Sequence, residues 1–119
     1  MKKKVLVVED DPATLGLLKT FLTEKGIEVH TAVDGVDALA QVRKSAPDLV
    51  LLDVIMPKLD GYGFLRELRK DAKLRGLSVV VLTAREMMRD VFVQEGVKDF
   101  VTKPYVPEEL YKTVSKYLK

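Results

Sequence analysis

The chain reads as an α/β protein built on a parallel sheet, with helices covering both faces. Three observations predict this. Short apolar runs and amphipathic stretches alternate five times along 119 residues. The runs at residues 5–8, 49–52 and 79–82 are continuously apolar, as in strands buried on both sides. Helices rather than hairpin turns connect them, and strict alternation implies right-handed crossovers between parallel strands.

Each element has its own signal. Val5-Leu6-Val7-Val8 is the first strand, ended by Glu9-Asp10-Asp11. Asp11 is placed to cap a helix that starts at Pro12, where the missing N–H costs nothing. Leu15, Leu18 and Leu22, with Leu17 and Phe21, form that helix's apolar stripe, and Gly26 stops it. Glu28 to Ala32 is a second, shorter strand. Asp34-Gly35 turns into a helix carrying Ala38, Leu39 and Val42, and Pro47 lies beyond its end.

Leu49 to Asp53 is the central strand. Asp60-Gly61 opens a third helix, with Phe64, Leu65 and Leu68 on one face. Ser78 to Leu82 is the fourth strand, ending in Thr83-Ala84. Met87, Met88, Val91 and Phe92 mark a fourth helix stopped by Gly96. Asp99 to Thr102 is the last strand, followed directly by Lys103-Pro104. A last helix starts at Pro107 with Glu108 and Glu109 in its first turn, and Leu110, Val114 and Leu118 face inward.

Composition narrows the function. Apolar residues make up 47% and charged residues 32%, which fits a globular chain rather than a disordered or membrane one. No apolar run approaches the roughly 20 residues that span a bilayer. The apolar run after Lys2-Lys3-Lys4 is too short for a signal-peptide core. Cysteine is absent, so thiol chemistry, disulfides and Cys-ligated zinc are excluded. The net charge of +2 argues against nucleic-acid binding by this chain. The lysines at both ends read as solvated surface. His30 is the only histidine. It falls on the short second strand, far from the acids, and does not read as a phosphodonor. The expectation is one cytoplasmic domain over residues 1–119, with no membrane association.

The chemistry gathers at strand ends. In a parallel sheet all carboxyl ends lie along one edge, where open α/β sheets bind ligands. Here that edge receives Glu9 and Asp10, Asp53, Thr83 and Lys103. Each alone is unremarkable: an acid after a strand is usually a cap, and a strand-end Asp is usually a turn residue. Together they put three carboxylates, a hydroxyl and an ammonium into one crevice. Crowded carboxylates repel unless something neutralises them. Oxygen donors without His or Cys suit a hard cation, and Mg²⁺ takes one or two carboxylates while keeping waters. The lysine and hydroxyl suit phosphoryl oxygens.

The segments Val7-Val8-Glu9-Asp10, Leu52-Asp53-Val54-Ile55-Met56-Pro57, Asp60-Gly61, Leu82-Thr83-Ala84 and Lys103-Pro104 stand in an order and spacing that resemble the receiver domain of two-component response regulators. The resemblance covers essentially the whole chain. It implies a flavodoxin-like (βα)5 fold with strand order 2-1-3-4-5, an order for which a chemotaxis receiver is the standard illustration.

The resemblance also implies roles. Asp53 is the phosphoacceptor, taking a phosphoryl group from a phosphohistidine of a sensor histidine kinase or a histidine phosphotransfer protein. Asp10, Asp53 and the backbone carbonyl of Ile55 hold Mg²⁺, with Glu9 acting through water. Lys103, Thr83 and Ala84 contact the phosphoryl group, and the Lys103–Pro104 bond is cis. Thr83 and Phe100 move inward together as a switch. This re-shapes the surface of the fourth helix, last strand and last helix for a downstream effector. The protein is then a switch rather than an enzyme, a monomer that can pair on phosphorylation. Ile55 and Arg85 stand two places after Asp53 and Thr83, where the family sets phosphoryl lifetime. Ile55 has no group to orient a water, so slow self-dephosphorylation is expected.

Three other readings are weighed. A Mg²⁺-dependent aspartyl-phosphate phosphatase wants a second Asp two places after the nucleophile, where Ile55 stands. A flavin or nucleotide binder is poorly supported: Gly61-Tyr62-Gly63 begins a G-x-G-x-x-G, but Arg66 replaces the third glycine. A phosphorylation-independent binding module on the same scaffold is the third.

Overall fold

The computed structural model describes residues 2–53, 61–83, 93–94 and 96–118. In chain order the elements are β1 (Lys4–Val8), α1 (Pro12–Glu24), β2 (Glu28–Ala32), α2 (Gly35–Ser45), β3 (Leu49–Asp53), α3 (Gly61–Lys70), β4 (Ser78–Thr83), β5 (Asp99–Thr102) and α4 (Pro107–Lys116). The five strands form one parallel sheet in the order β2-β1-β3-β4-β5. The register aligns the carboxyl ends: Val8 stands opposite Ala32 and Leu52, Asp53 opposite Leu82, and Thr83 opposite Thr102.

The centre of the sheet is buried on both faces because residues 5–8, 49–52 and 79–82 are apolar at every position, whereas the rim strands β2 and β5 carry polar residues and are only partly buried. Leu6, Val8, Val50, Leu52, Val79 and Val81 pack with Ala38, Val42, Phe64, Leu65 and Leu68 of α2 and α3. The alternate residues Val5, Val7, Leu49, Leu51, Val80 and Leu82 pack with Leu18, Leu22, Leu110 and Val114 of α1 and α4. All five residues of β3 are buried. Truncating one of its leucines to Ala costs about 2–5 kcal/mol.

Local signals place the helix starts. Asp11 accepts from the Thr14 N–H at 3.1 Å, ahead of Pro12 at the first helical position. Asp34 accepts from the Asp37 N–H at 2.8 Å, and Asp37 accepts from the Val33 N–H at 3.1 Å. This reciprocal pair fixes the start of α2 as a capping box does. At the start of α4, Val106 makes no side-chain cap, and Glu108 and Glu109 in the first turn complement the helix dipole instead.

Two expectations are refined. Leu17, assigned to the apolar stripe of α1, is 73% exposed. Leu18 and Leu22 carry the buried stripe, and Leu15 and Phe21 flank it. One residue before Leu18 is a rotation of about 100° on a helix, which turns Leu17 away from the sheet. Of the expected helix carrying Met87, Met88, Val91 and Phe92, only its end falls within the described residues. There Val93 and Gln94 are helical, and the Gly96 N–H donates to the Val93 carbonyl at 3.0 Å.

Candidate functional site

Glu9 continues the ladder one residue past β1, its N–H donating to the Ala32 carbonyl at 3.0 Å. That bond holds the backbone at the mouth of the sheet and seats the Glu9 side chain inside it, 2% exposed. Asp10 is exposed, and its N–H donates to Oε2 of Glu9 at 3.0 Å. Asp53 closes β3 from the neighbouring strand and is 6% exposed. One carboxylate oxygen from each of Glu9, Asp10 and Asp53 lies within 4.8 Å of the others.

Lys103 follows β5 and reaches back across the mouth. Its Nζ donates to Oδ2 of Asp53 at 3.1 Å and stands 4.0 Å from Oε1 of Glu9. The Lys103–Pro104 bond is cis. Among the described residues, then, one ammonium faces three carboxylates, and their balance is acidic.

The consequence is visible at Glu9. Burial, then hydrogen bonding with Asp53 and the charge of Asp53, push its carboxyl up to about 8 against the opposing pull of Lys103. Among the described residues the clustered side-chain donors are carboxylate oxygens, the set that suits a hard divalent cation. The residues present therefore fit Mg²⁺.

Four of the expected site residues, Glu9, Asp10, Asp53 and Lys103, converge. Thr83 takes its place as the last residue of β4, its Cα paired with Thr102 immediately before Lys103. Ile55, Ala84 and Arg85 lie outside the described residues. Phe100 is half-buried and packs against the core cluster formed with α2 and α3. Asp11, given only a capping role, makes the bonds of a cap and donates nothing to the acidic trio.

Two neighbours of the site were not read as such from the sequence. Thr14 and Tyr105 line a cleft of about 500 Å³ with Lys103 and Pro104. Burial, and the charges of Glu9 and Asp53, raise the Tyr105 hydroxyl above the usual phenol range. Its place two residues beyond Lys103 was the available signal. The Tyr105 ring also walls an apolar groove of about 350 Å³ with Leu17, Phe21 and Pro107.

Among known proteins, the model of the response regulator receiver domain matches residues 5–115, and the chain belongs to that family. It is 42% identical over 120 residues to a probable transcriptional regulator, ycf27, of Pyropia yezoensis, covering 99% of this chain and 48% of that protein. It is 42% identical over 106 residues to the response regulator PleD of Caulobacter vibrioides, covering 87% of this chain and 23% of PleD. The chain thus spans about half, or less, of the curated relatives it matches. Among solved structures, the chemotaxis protein CheY4 of Vibrio cholerae superposes with a TM-score of 0.93 at 30% identity, covering 99% of this chain and 100% of that one. The receiver domain of the sensor histidine kinase PA1611 of Pseudomonas aeruginosa superposes at 0.90 with 28% identity, covering 99% and 98%, and is described with a magnesium ion coordinated in its active-site cleft. These likenesses support a phosphorylatable two-component switch and do not favour a phosphatase.

Proposed function

We propose that residues 1–119 work as one receiver unit in the cytoplasm and that Asp53 is its phosphoacceptor. The observation that carries this is the contact of Lys103 Nζ with Asp53 Oδ2 at 3.1 Å inside an otherwise acidic pocket. A carboxylate oxygen of Asp53 attacks the phosphorus of a phosphohistidine. The P–N bond breaks, the imidazole nitrogen keeps the electron pair, and an acyl phosphate forms on Asp53. The donor is a sensor histidine kinase or a histidine phosphotransfer protein.

Lys103 holds Asp53 in place before transfer and neutralises phosphoryl oxygens after it. Asp10, Asp53 and the Ile55 carbonyl would hold Mg²⁺, with Glu9 acting through water. When bound, the ion offsets carboxylate repulsion and the charge on the transferring group. Thr83 and Ala84 contact the phosphoryl group, and Thr83 and Phe100 relay its arrival toward the effector surface. The chain acts as a switch, with chemistry confined to its own phosphorylation and dephosphorylation.

The test is intact mass after incubation with Mg²⁺ and a small acyl phosphate. One added phosphoryl group, lost in EDTA and in Asp53→Asn, is expected. A gain that survives in Asp53→Asn would place the nucleophile elsewhere. No gain by a folded, Mg²⁺-binding protein would leave a phosphorylation-independent binding module.

A further inference from the structure

Asp99 opens β5, directly before the half-buried Phe100. Both of its carboxylate oxygens are engaged. Oδ1 accepts from the Phe100 N–H at 2.8 Å, and Oδ2 accepts from the Tyr117 hydroxyl at 3.0 Å. Lys116 Nζ adds a contact at 3.8 Å to the same Oδ2. Tyr117 is the residue that closes α4. One planar side chain therefore spans from the backbone of Phe100 to the far end of the last helix.

The Tyr117 hydroxyl has one hydrogen and two acceptors in range. Besides Asp99 Oδ2 it meets the Lys98 carbonyl at 3.3 Å. A carboxylate is rigid, so a turn of the backbone at Phe100 carries Oδ2 with it. The hydroxyl then either follows, moving the end of α4, or passes to the Lys98 carbonyl, which does not share that turn. This gives two discrete arrangements of one hydrogen bond, the kind of element that a remote site can bias.

We propose that Asp99 and Tyr117 form a joint through which phosphorylation of Asp53 reaches α4. The joint rests on the receiver reading above. It adds the residues that take the signal from β5 to the last helix. Tyr117 is a positioning residue here: it touches neither the phosphoryl group nor the acidic trio.

The experiment is amide hydrogen exchange of the chain with and without an excess of acyl phosphate and Mg²⁺, with phosphorylation followed by mass. In the parent, exchange across Glu109 to Leu118 shifts about fivefold, the scale of one net hydrogen bond. In Tyr117→Phe, which keeps the ring, the mass gain and the response around Phe100 persist and the α4 response is lost. Asp99→Ala, which removes both contacts, gives the same loss. Lys116→Ala leaves the response intact. An α4 response retained in Tyr117→Phe or Asp99→Ala overturns the joint, as does a parent that responds at β5 and not in α4. A parent that gains no phosphoryl group overturns the reading of the site instead, a result told apart by mass alone.

Discussion

The ammonium of Lys103 donates to Oδ2 of Asp53 at 3.1 Å although the two residues stand 50 positions apart in the chain. The sheet makes the meeting. β3 delivers Asp53, β4 separates it from β5, and β5 delivers Lys103 one residue beyond its own end. In the proposed function a cation at that distance would serve the developing charge on a transferring phosphoryl group. Lys103→Met keeps the length of the side chain and removes its charge. Phosphorylation by an acyl phosphate should slow about 100-fold, the usual loss for one preorganised donor. A mass time course checks this, and a rate within a factor of three of the parent would remove Lys103 from the chemistry.

The raised carboxyl of Glu9 gives a pH dependence. Its ordinary value is 4.5 and its folded value is about 8. Between those limits the folded protein holds a proton that the unfolded chain has released. Stability from this group is therefore fully present below about 4.5 and is lost as pH rises through about 8. In EDTA, Tm should fall from pH 5 to pH 8 by more in the parent than in Glu9→Gln, which has no proton to lose. Mg²⁺ should flatten the parent's slope. Thermal melts across that range decide it, and parallel slopes for parent and variant would show that Glu9 titrates normally.

Two glycines with positive φ separate backbone strain from crowding. Gly26 has φ 84° and open space where a Cβ would stand. Gly96 has φ 81° and would bring a Cβ within 3.3 Å of Arg69 Nε. Arg69 has little freedom to yield, since its guanidinium donates to the carbonyls of Arg75 at 3.0 Å and Gly96 at 3.2 Å. Gly26→Ala should cost about 1–2 kcal/mol from strain alone, and Gly96→Ala measurably more. Gly16, exposed within α1 with open space where a Cβ would stand, should gain about 0.5–1 kcal/mol on mutation to Ala. Urea titration of the three variants gives the order, and equal costs at Gly26 and Gly96 would mean that Arg69 moves freely.

Ile55 supplies no polar group to align an attacking water. Ile55→Asn should shorten the phosphoryl lifetime several-fold, within the ordinary range for a positioned general acid–base group. The decay of the phosphorylated mass after removal of donor measures it. An unchanged or longer lifetime in the variant would assign lifetime to another residue.

Much of this was legible in the chain because it was local. The first, third and fourth strands announced themselves as continuous apolar runs, and Asp11 and Asp34 stood where their helices begin. Convergence of Glu9, Asp10, Asp53 and Lys103 followed from parallel topology alone, since every strand end goes to one edge. What topology did not supply was depth. Asp11 could be read as a cap from Pro12 beside it, but nothing in Glu9-Asp10 says that the first acid is buried and the second exposed. That sorting follows from one hydrogen bond, Glu9 N–H to the Ala32 carbonyl. Leu17 and Leu18 likewise look alike until the helix is turned against the sheet. Contacts between distant segments left no local trace at all. Tyr117 and Asp99 are 18 residues apart in different elements. Lys25 stands 5.0 Å from the ring centroid of Tyr111 on the last helix, a pairing that no spacing rule anticipates.

The outermost position of β5 has one more consequence. A strand at the rim of a sheet is a template on which a neighbouring molecule can lay its own backbone. β5 is four residues long, its Phe100 N–H is occupied by Asp99, and the charges of Asp99 and Lys98 stand at its start. Those are the features by which natural sheets refuse edge-to-edge growth.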